Sequence, residues 1–115
     1  MSLKTPLVDV SLVKKMLYED ESYVKEFANA SLQSFSEFKE SFKNFVMARE
    51  MDNLRRAGHK IKPAALMLNL NPIIEMYEAS KTLLEENAST EELSIIVDQM
   101  DTYCDQVLYE FKEIA

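Results

Sequence analysis

The chain has one histidine, His59, and it stands among cations. Read as part of a helix at roughly 100° per residue, His59 falls about 200° from Ala57 and from Ile61, two positions of an apolar stripe. It therefore faces solvent. On the same face, within about 60°, are Arg55, Arg56, Lys62 and Pro63, with Lys60 close by. The segment from Arg49 to Lys62 holds five basic residues against Glu50 and Asp52, whereas from Pro63 onward there are two basic and 11 acidic residues. The positive charge of an acidic chain is gathered around one exposed imidazole. A neutral imidazole nitrogen is a nucleophile toward electrophilic phosphorus. The phosphoryl group it takes up brings negative charge, roughly 1.5 to 2 units in the hydroxyl esters, which a cation must compensate. Lys62, one helical turn away, is within reach. A solvated surface histidine among ordinary helix charges is the other reading that these residues alone leave open.

Holding such a residue requires a helix with one buried face, and the composition supplies helices. At 115 residues the chain is expected to form one domain over 1–115. It is 47% hydrophobic, enough to bury a core, and has one Gly and three Pro, too few for the frequent turns of an all-β domain. The expectation is an all-α fold, an up-down four-helix bundle preceded by a short N-terminal helix.

The apolar periods assign the elements. Asp9 is the N-cap of a short helix carrying Val10, Val13, Met16 and Leu17 and ending near Glu19. Asp20-Glu21-Ser22 places negative charge at the start of a long second helix. Its stripe runs Val24, Phe27, Ala28, Ser31, Phe35, Phe38, Phe42, Phe45 and Val46, and large aromatics at this spacing are core. A turn near Glu50 to Asp52 leads to a third helix with Leu54, Ala57, Ile61, Ala64, Ala65 and Leu68 inward. Asn69 closes it in the left-handed conformation. Asn71 as N-cap and Pro72 at the first position start a fourth helix, from about Pro72 to Asn87, packing Ile73, Met76, Tyr77, Ser80, Leu83 and Leu84. Ser89 and Glu92 form a capping box ahead of the last helix, which buries Leu93, Ile96, Val97, Met100, Cys104, Val107, Phe111 and Ile114.

Charge and cysteine use narrow the function classes. A net charge of -7 repels phosphate backbones and anionic membrane surfaces, so nucleic acid is not an expected partner. Cys104 is alone and reads as a buried core thiol, which leaves no intramolecular disulfide and no cysteine-based zinc site. Met1 to Pro6 has no long apolar run and no small-residue cleavage site, and no later stretch approaches the ~18 apolar residues of a membrane span. A cytoplasmic location without membrane insertion is expected. Nothing has the look of a nucleophile elbow or metal-ligand spacing, so no metal site and no enzyme active site of the chain's own is expected.

The stretch Leu54-Arg-Arg-Ala-Gly-His-Lys-Ile-Lys-Pro-Ala-Ala-Leu-Met-Leu-Asn-Leu resembles the signature of histidine-containing phosphotransfer (HPt) domains. In that family a solvent-facing phosphoacceptor His is followed three residues later by Lys, on the second helix of a four-helix bundle. His59 and Lys62 match these two, and Leu54, Ile61 and Leu68 match apolar positions. The short leading helix extends the likeness over nearly the whole chain. Where the family has Gly, four residues after the His, this chain has Pro63, which keeps the position free of a long side chain but withdraws a donor from the His59 carbonyl and should kink the helix. Asn69 stands where the family commonly has another Gly.

The resemblance implies a monomeric phosphorelay carrier and not an enzyme with its own ATP site. His59, through Nε2, takes a phosphoryl group from a receiver-domain aspartyl phosphate and returns it to another receiver. Lys62 stabilises the phosphoryl oxygens, Lys60 and Arg56 assist electrostatically, and Arg55 serves docking. The Mg²⁺ for the transfer belongs to the receiver's acidic pocket, and no cofactor bound to this chain is needed. The dimerisation helix of a sensor kinase fits less well, because its His is followed by an acidic residue and, five residues on, by Pro. Lys60 and the spacing of Pro63 depart from that pattern. The alternative of another class is a non-catalytic helical adaptor, an inactive HPt-like domain or an unrelated four-helix interaction module.

Overall fold

A computed structural model describes residues 6–115. The reading of Met1 to Thr5 as free of a targeting signal lies outside the described residues. Among these the chain is all-helical, with five helices and no strand: α1 (Val10–Met16), α2 (Glu21–Met47), α3 (Met51–Met67), α4 (Asn71–Glu85) and α5 (Thr90–Ile114). Helix α2 packs on α5 and on α3, α3 on α4, and α4 on α5, while α1 rests on α2. No helix among the described residues is long and apolar enough to cross a membrane.

Side-chain caps start three of the helices, Asp9 and Ser89 as expected and Asp20 in addition to the charge it was expected to place there. The Asp9 carboxylate accepts from the Leu12 N–H, and that of Asp20 accepts from the Ser22 and Tyr23 N–H groups at 2.9 and 3.2 Å. At α5 only half of the capping box forms. Ser89 Oγ accepts from the Glu92 N–H at 3.2 Å, but the Glu92 carboxylate meets the Ser89 hydroxyl and not its backbone N–H. Asn71 is not a cap: α4 begins at Asn71 itself, Leu70 takes the N-cap position, and Pro72 falls one place further in. Leu70 is fully buried, so the α3–α4 turn is set by packing its side chain and not by a polar cap.

The helix ends explain how so few glycines suffice. Tyr18, Arg49, Asn69 and Asn87 all have φ of 57 to 58°. Each follows a C-cap, and the next residue's N–H reaches back five residues: Glu19 to Lys14, Glu50 to Phe45, Leu70 to Ala65 and Ala88 to Leu83. Four helices thus end in the Schellman arrangement, which satisfies their last carbonyls. Asn69 was expected in this role and the others were not. For that reason α1 stops at Met16 and not near Glu19, and α4 at Glu85 and not Asn87. Likewise the α2–α3 turn centres on Arg49, ahead of the Glu50 to Asp52 expected, because Arg49 takes the left-handed conformation without needing glycine.

The core follows the apolar stripes. Phe35 and Phe42 of α2, Leu54 and Ala65 of α3, Ile73 of α4, and Met100, Cys104, Val107 and Phe111 of α5 are fully buried. Phe27, Phe45, Ala57, Ala64, Met76, Leu83, Leu84 and Ile114 are half-buried against them, at the edges of the stripes. Burial pushes the Cys104 thiol up to about 12, which keeps it protonated and inert. The segment ahead of α1 is tied to α5, where the Glu110 carboxylate accepts from the Leu7 and Val8 N–H groups at 3.0 and 2.7 Å. Tyr18 is 91% exposed while holding a positive φ, so its side chain gains little and its backbone is strained. Tyr18→Gly is expected to raise stability by ~0.5–1 kcal/mol, read as an upward shift of the urea midpoint with unchanged slope.

Candidate functional site

Helix α3 is flanked by α2 on one side and α4 on the other, and its remaining face meets water. Leu54, Gly58, Ile61 and Ala65 are its buried residues, at steps of three and four. His59, one place past a buried position, is exposed, as are Arg55, Arg56, Lys60, Lys62 and Pro63. The six residues selected from the sequence therefore all lie in solvent on one helix. The helix runs unbroken through Pro63.

They do not all serve one face equally. Lys60 turns toward α2, where its ammonium stands 3.7 Å from the Glu37 carboxylate, an exposed pair of little energetic weight. Arg56 leans along the helix and donates to the Asn53 side chain at 3.1 Å. Among the described residues, neither His59 nor Lys62 has a side-chain hydrogen bond or ion pair. The imidazole and the ammonium one turn away are both free to meet an incoming group. A neutral imidazole carries a lone pair on one of its two ring nitrogens. The arrangement offers a nitrogen nucleophile with positive charge next to it.

Two further features lie along α3. Beyond Pro63 the same outer face turns apolar, with Leu66 56% and Met67 46% exposed. Toward α2 lies a shallow groove of about 90 Å³, floored by Phe38, Ala57, Ile61 and Ala64, with Lys60 and Glu37 at its rim. A wider cleft of about 470 Å³, between α1, the start of α2 and the end of α5, includes no residue of α3. Among the described residues no cluster of three or more His, Cys, Asp or Glu side chains converges as metal ligands would.

The reading of the sequence missed what lies beneath His59. Gly58 is buried, and Tyr77 of α4, 6% exposed, occupies the place of its missing side chain. A Cβ at residue 58 would stand 2.6 Å from the Tyr77 hydroxyl and closer to its ring. One signal was available. The only glycine of the chain sits in the middle of a helix, where it costs about 1 kcal/mol relative to alanine and calls for a packing reason. Leu66 and Met67 could also have been noticed as large apolar residues that fall off the inward stripe.

No family model matches the chain, and no curated protein or solved structure matches it either.

The contact at Gly58 yields a change of sign. Gly58→Ala is expected to cost about 1–2 kcal/mol, because overpacking against Tyr77 outweighs the gain in helix propensity. In a Tyr77→Leu background, where the ring tip is gone, the same substitution should become neutral or stabilising by up to ~1 kcal/mol. Thermal or urea unfolding of the four proteins in the cycle measures both.

Proposed function

We propose that the chain is a phosphorelay carrier of the histidine-containing phosphotransfer (HPt) kind, an up-down four-helix bundle of α2 to α5 with α1 leading in. The observation that carries the reading is the unpartnered His59–Lys62 pair on the outer face of α3, within the chain's main cluster of cations. Antiparallel running of α2 and α5 supports the bundle. Phe27 and Phe35 of α2 meet Phe111, whereas Lys39, further along α2, bonds Asp105, earlier on α5.

In the proposed step a receiver domain brings an aspartyl phosphate to His59. The Nε2 lone pair attacks phosphorus, a P–N bond forms, and the P–O bond to the aspartate breaks with its electron pair leaving on the carboxylate. The Nδ1 proton stays on the ring, so the phosphoimidazole carries a positive ring beside the anionic phosphoryl oxygens. Lys62 compensates those oxygens, with Arg56 and Lys60 contributing at longer range. Arg55 and the apolar Pro63, Leu66 and Met67 form the contact surface for the receiver. Proximity and charge compensation carry the transfer, and no general base on this chain is required. Mg²⁺ sits in the receiver's acidic pocket. The reverse step passes the group to another receiver. A monomer acting in the cytoplasm, phosphorylated by others and not by itself, fits this role.

Incubation with phosphorylated receiver domains carrying ³²P tests the reading. Wild type should take up label that is labile in acid and stable in alkali, and His59→Gln should take up none. Lys62→Ala should slow the transfer on the order of ten- to a hundredfold, as expected for loss of one charge-stabilising group. A receiver that binds the chain yet transfers nothing to it would sink the carrier reading and favour the non-catalytic adaptor.

A further inference from the structure

The glycine that precedes His59 has an ordinary helical φ, so no left-handed turn calls for it. Tyr77 calls for it instead. Its ring tip lies against the α3 backbone at residue 58, where a Cβ would come within 2.6 Å of the hydroxyl. From there the hydroxyl reaches the Arg55 carbonyl at 3.5 Å, a long hydrogen bond. That carbonyl is the one to which an α-helix pairs the N–H of His59. On the other side of His59 the ladder is open, because Pro63 has no N–H to offer the His59 carbonyl. The turn bearing the imidazole is thus braced on its N-terminal side and unbraced on its C-terminal side. Tyr77 is itself held, with the Lys81 ammonium 4.7 Å from its ring centroid and tied in turn to Glu78 at 3.0 Å.

We infer that Tyr77 is a positioning residue for His59. Its ring, seated on Gly58, and its hydroxyl, at the Arg55 carbonyl, fix the α3 backbone so that the imidazole keeps one line of attack. The inference rests on the carrier reading above. Tyr77 moves no proton and touches no phosphoryl group. Its effect comes through geometry, to which in-line transfer is sensitive, a displacement of ~1 Å being enough to slow a reaction about a hundredfold.

The test compares Tyr77→Leu and Tyr77→Phe with wild type in the full chain, with two readouts. One is hydrogen exchange at the His59 amide against the Leu54 and Ala65 amides of the same helix. The other is single-turnover transfer from a phosphorylated receiver at rising concentration, which separates the maximal rate from the half-saturating concentration. Tyr77→Leu should speed exchange at His59 about tenfold beyond any change at Leu54 and Ala65. It should also lower the maximal rate ~tenfold, leaving half-saturation within about twofold. Tyr77→Phe, which keeps the ring on Gly58, should recover most of both. If Tyr77→Leu does not fold, Gly58→Ala displaces the ring from the other side and carries the same two expectations. Uniform acceleration of exchange along α3, or a loss confined to half-saturation, makes Tyr77 an ordinary core residue and overturns the inference. A wild type that accepts phosphoryl from no receiver overturns the carrier reading and the role of Tyr77 in transfer with it, while the exchange comparison still decides whether Tyr77 holds the His59 backbone.

Discussion

The seam between α2 and α5 is the contact on which the other elements depend. Phe35 and Phe111 stack with centroids 6.0 Å apart and planes 17° from parallel, and Phe27 meets Phe111 edge-on at 6.2 Å. Such pairs add to the large area that each ring removes from water. At the border of this seam Lys39 donates to Asp105, a bond that raises the lysine's affinity for its proton. Two long helices joined along one side still expose apolar stripes on another. Helices α3 and α4 close that side, and α3, once wedged between α2 and α4, has a single stripe left for water. His59 is exposed because of where the Phe stripe sits on the neighbouring helix α2.

Electrostatics then gives the exposed stripe its character. The chain has 20 acidic against 13 basic residues, yet the acidic excess lies mostly past Pro63 in sequence. At physiological ionic strength charges more than about 8 Å apart are largely screened from one another. Distant carboxylates therefore do not neutralise the cations of α3, and only close partners can. Glu37 engages Lys60, whereas Arg56 bonds only the neutral Asn53 amide and keeps its charge. Among the described residues Arg55, Arg56 and Lys62 have no ion pair, so a local positive field persists on a molecule that is negative as a whole. An acidic partner surface is steered to this face and repelled elsewhere.

Most of the helical pattern was legible because apolar spacing and N-cap chemistry are local properties. Asp9, Asp20 and Ser89 cap as their types suggest, and the inward residues of α5 from Leu93 to Phe111 are buried without exception. The exposure of His59 followed from the same spacing. What could not be read were features settled across helices. Tyr18 and Arg49 end their helices with positive φ, and their side-chain types give no hint of it. Leu70 displaces Asn71 from the cap because its burial outweighs a polar contact at the surface. The Gly58–Tyr77 contact joins residues on different helices, and an inward tyrosine on α4 does not reveal which backbone atom it will press upon. Lys60 was grouped with the site by its place next to His59, but its length lets it reach Glu37 on α2.

Glycine and proline are the two residues that weaken a helix most, by about 1 and 3 kcal/mol relative to alanine in an interior. The two longest helices, α2 and α5, contain neither. Helix α3 contains both, and they lie within five residues of one another on either side of His59. A stretch chosen for helix stability alone would have neither. Gly58 lets a neighbouring ring approach the backbone, and that packing returns part of what the helix loses. Pro63 is exposed and has no such contact inside the core, so its cost is not offset by burial. It presents a rigid, compact surface beside the imidazole, and in the proposed carrier a longer side chain there would stand in the way of the receiver. Local rules of helix stability are broken on both sides of the one exposed imidazole, and departures of this kind are expected at functional sites, which is in keeping with the carrier role proposed for His59.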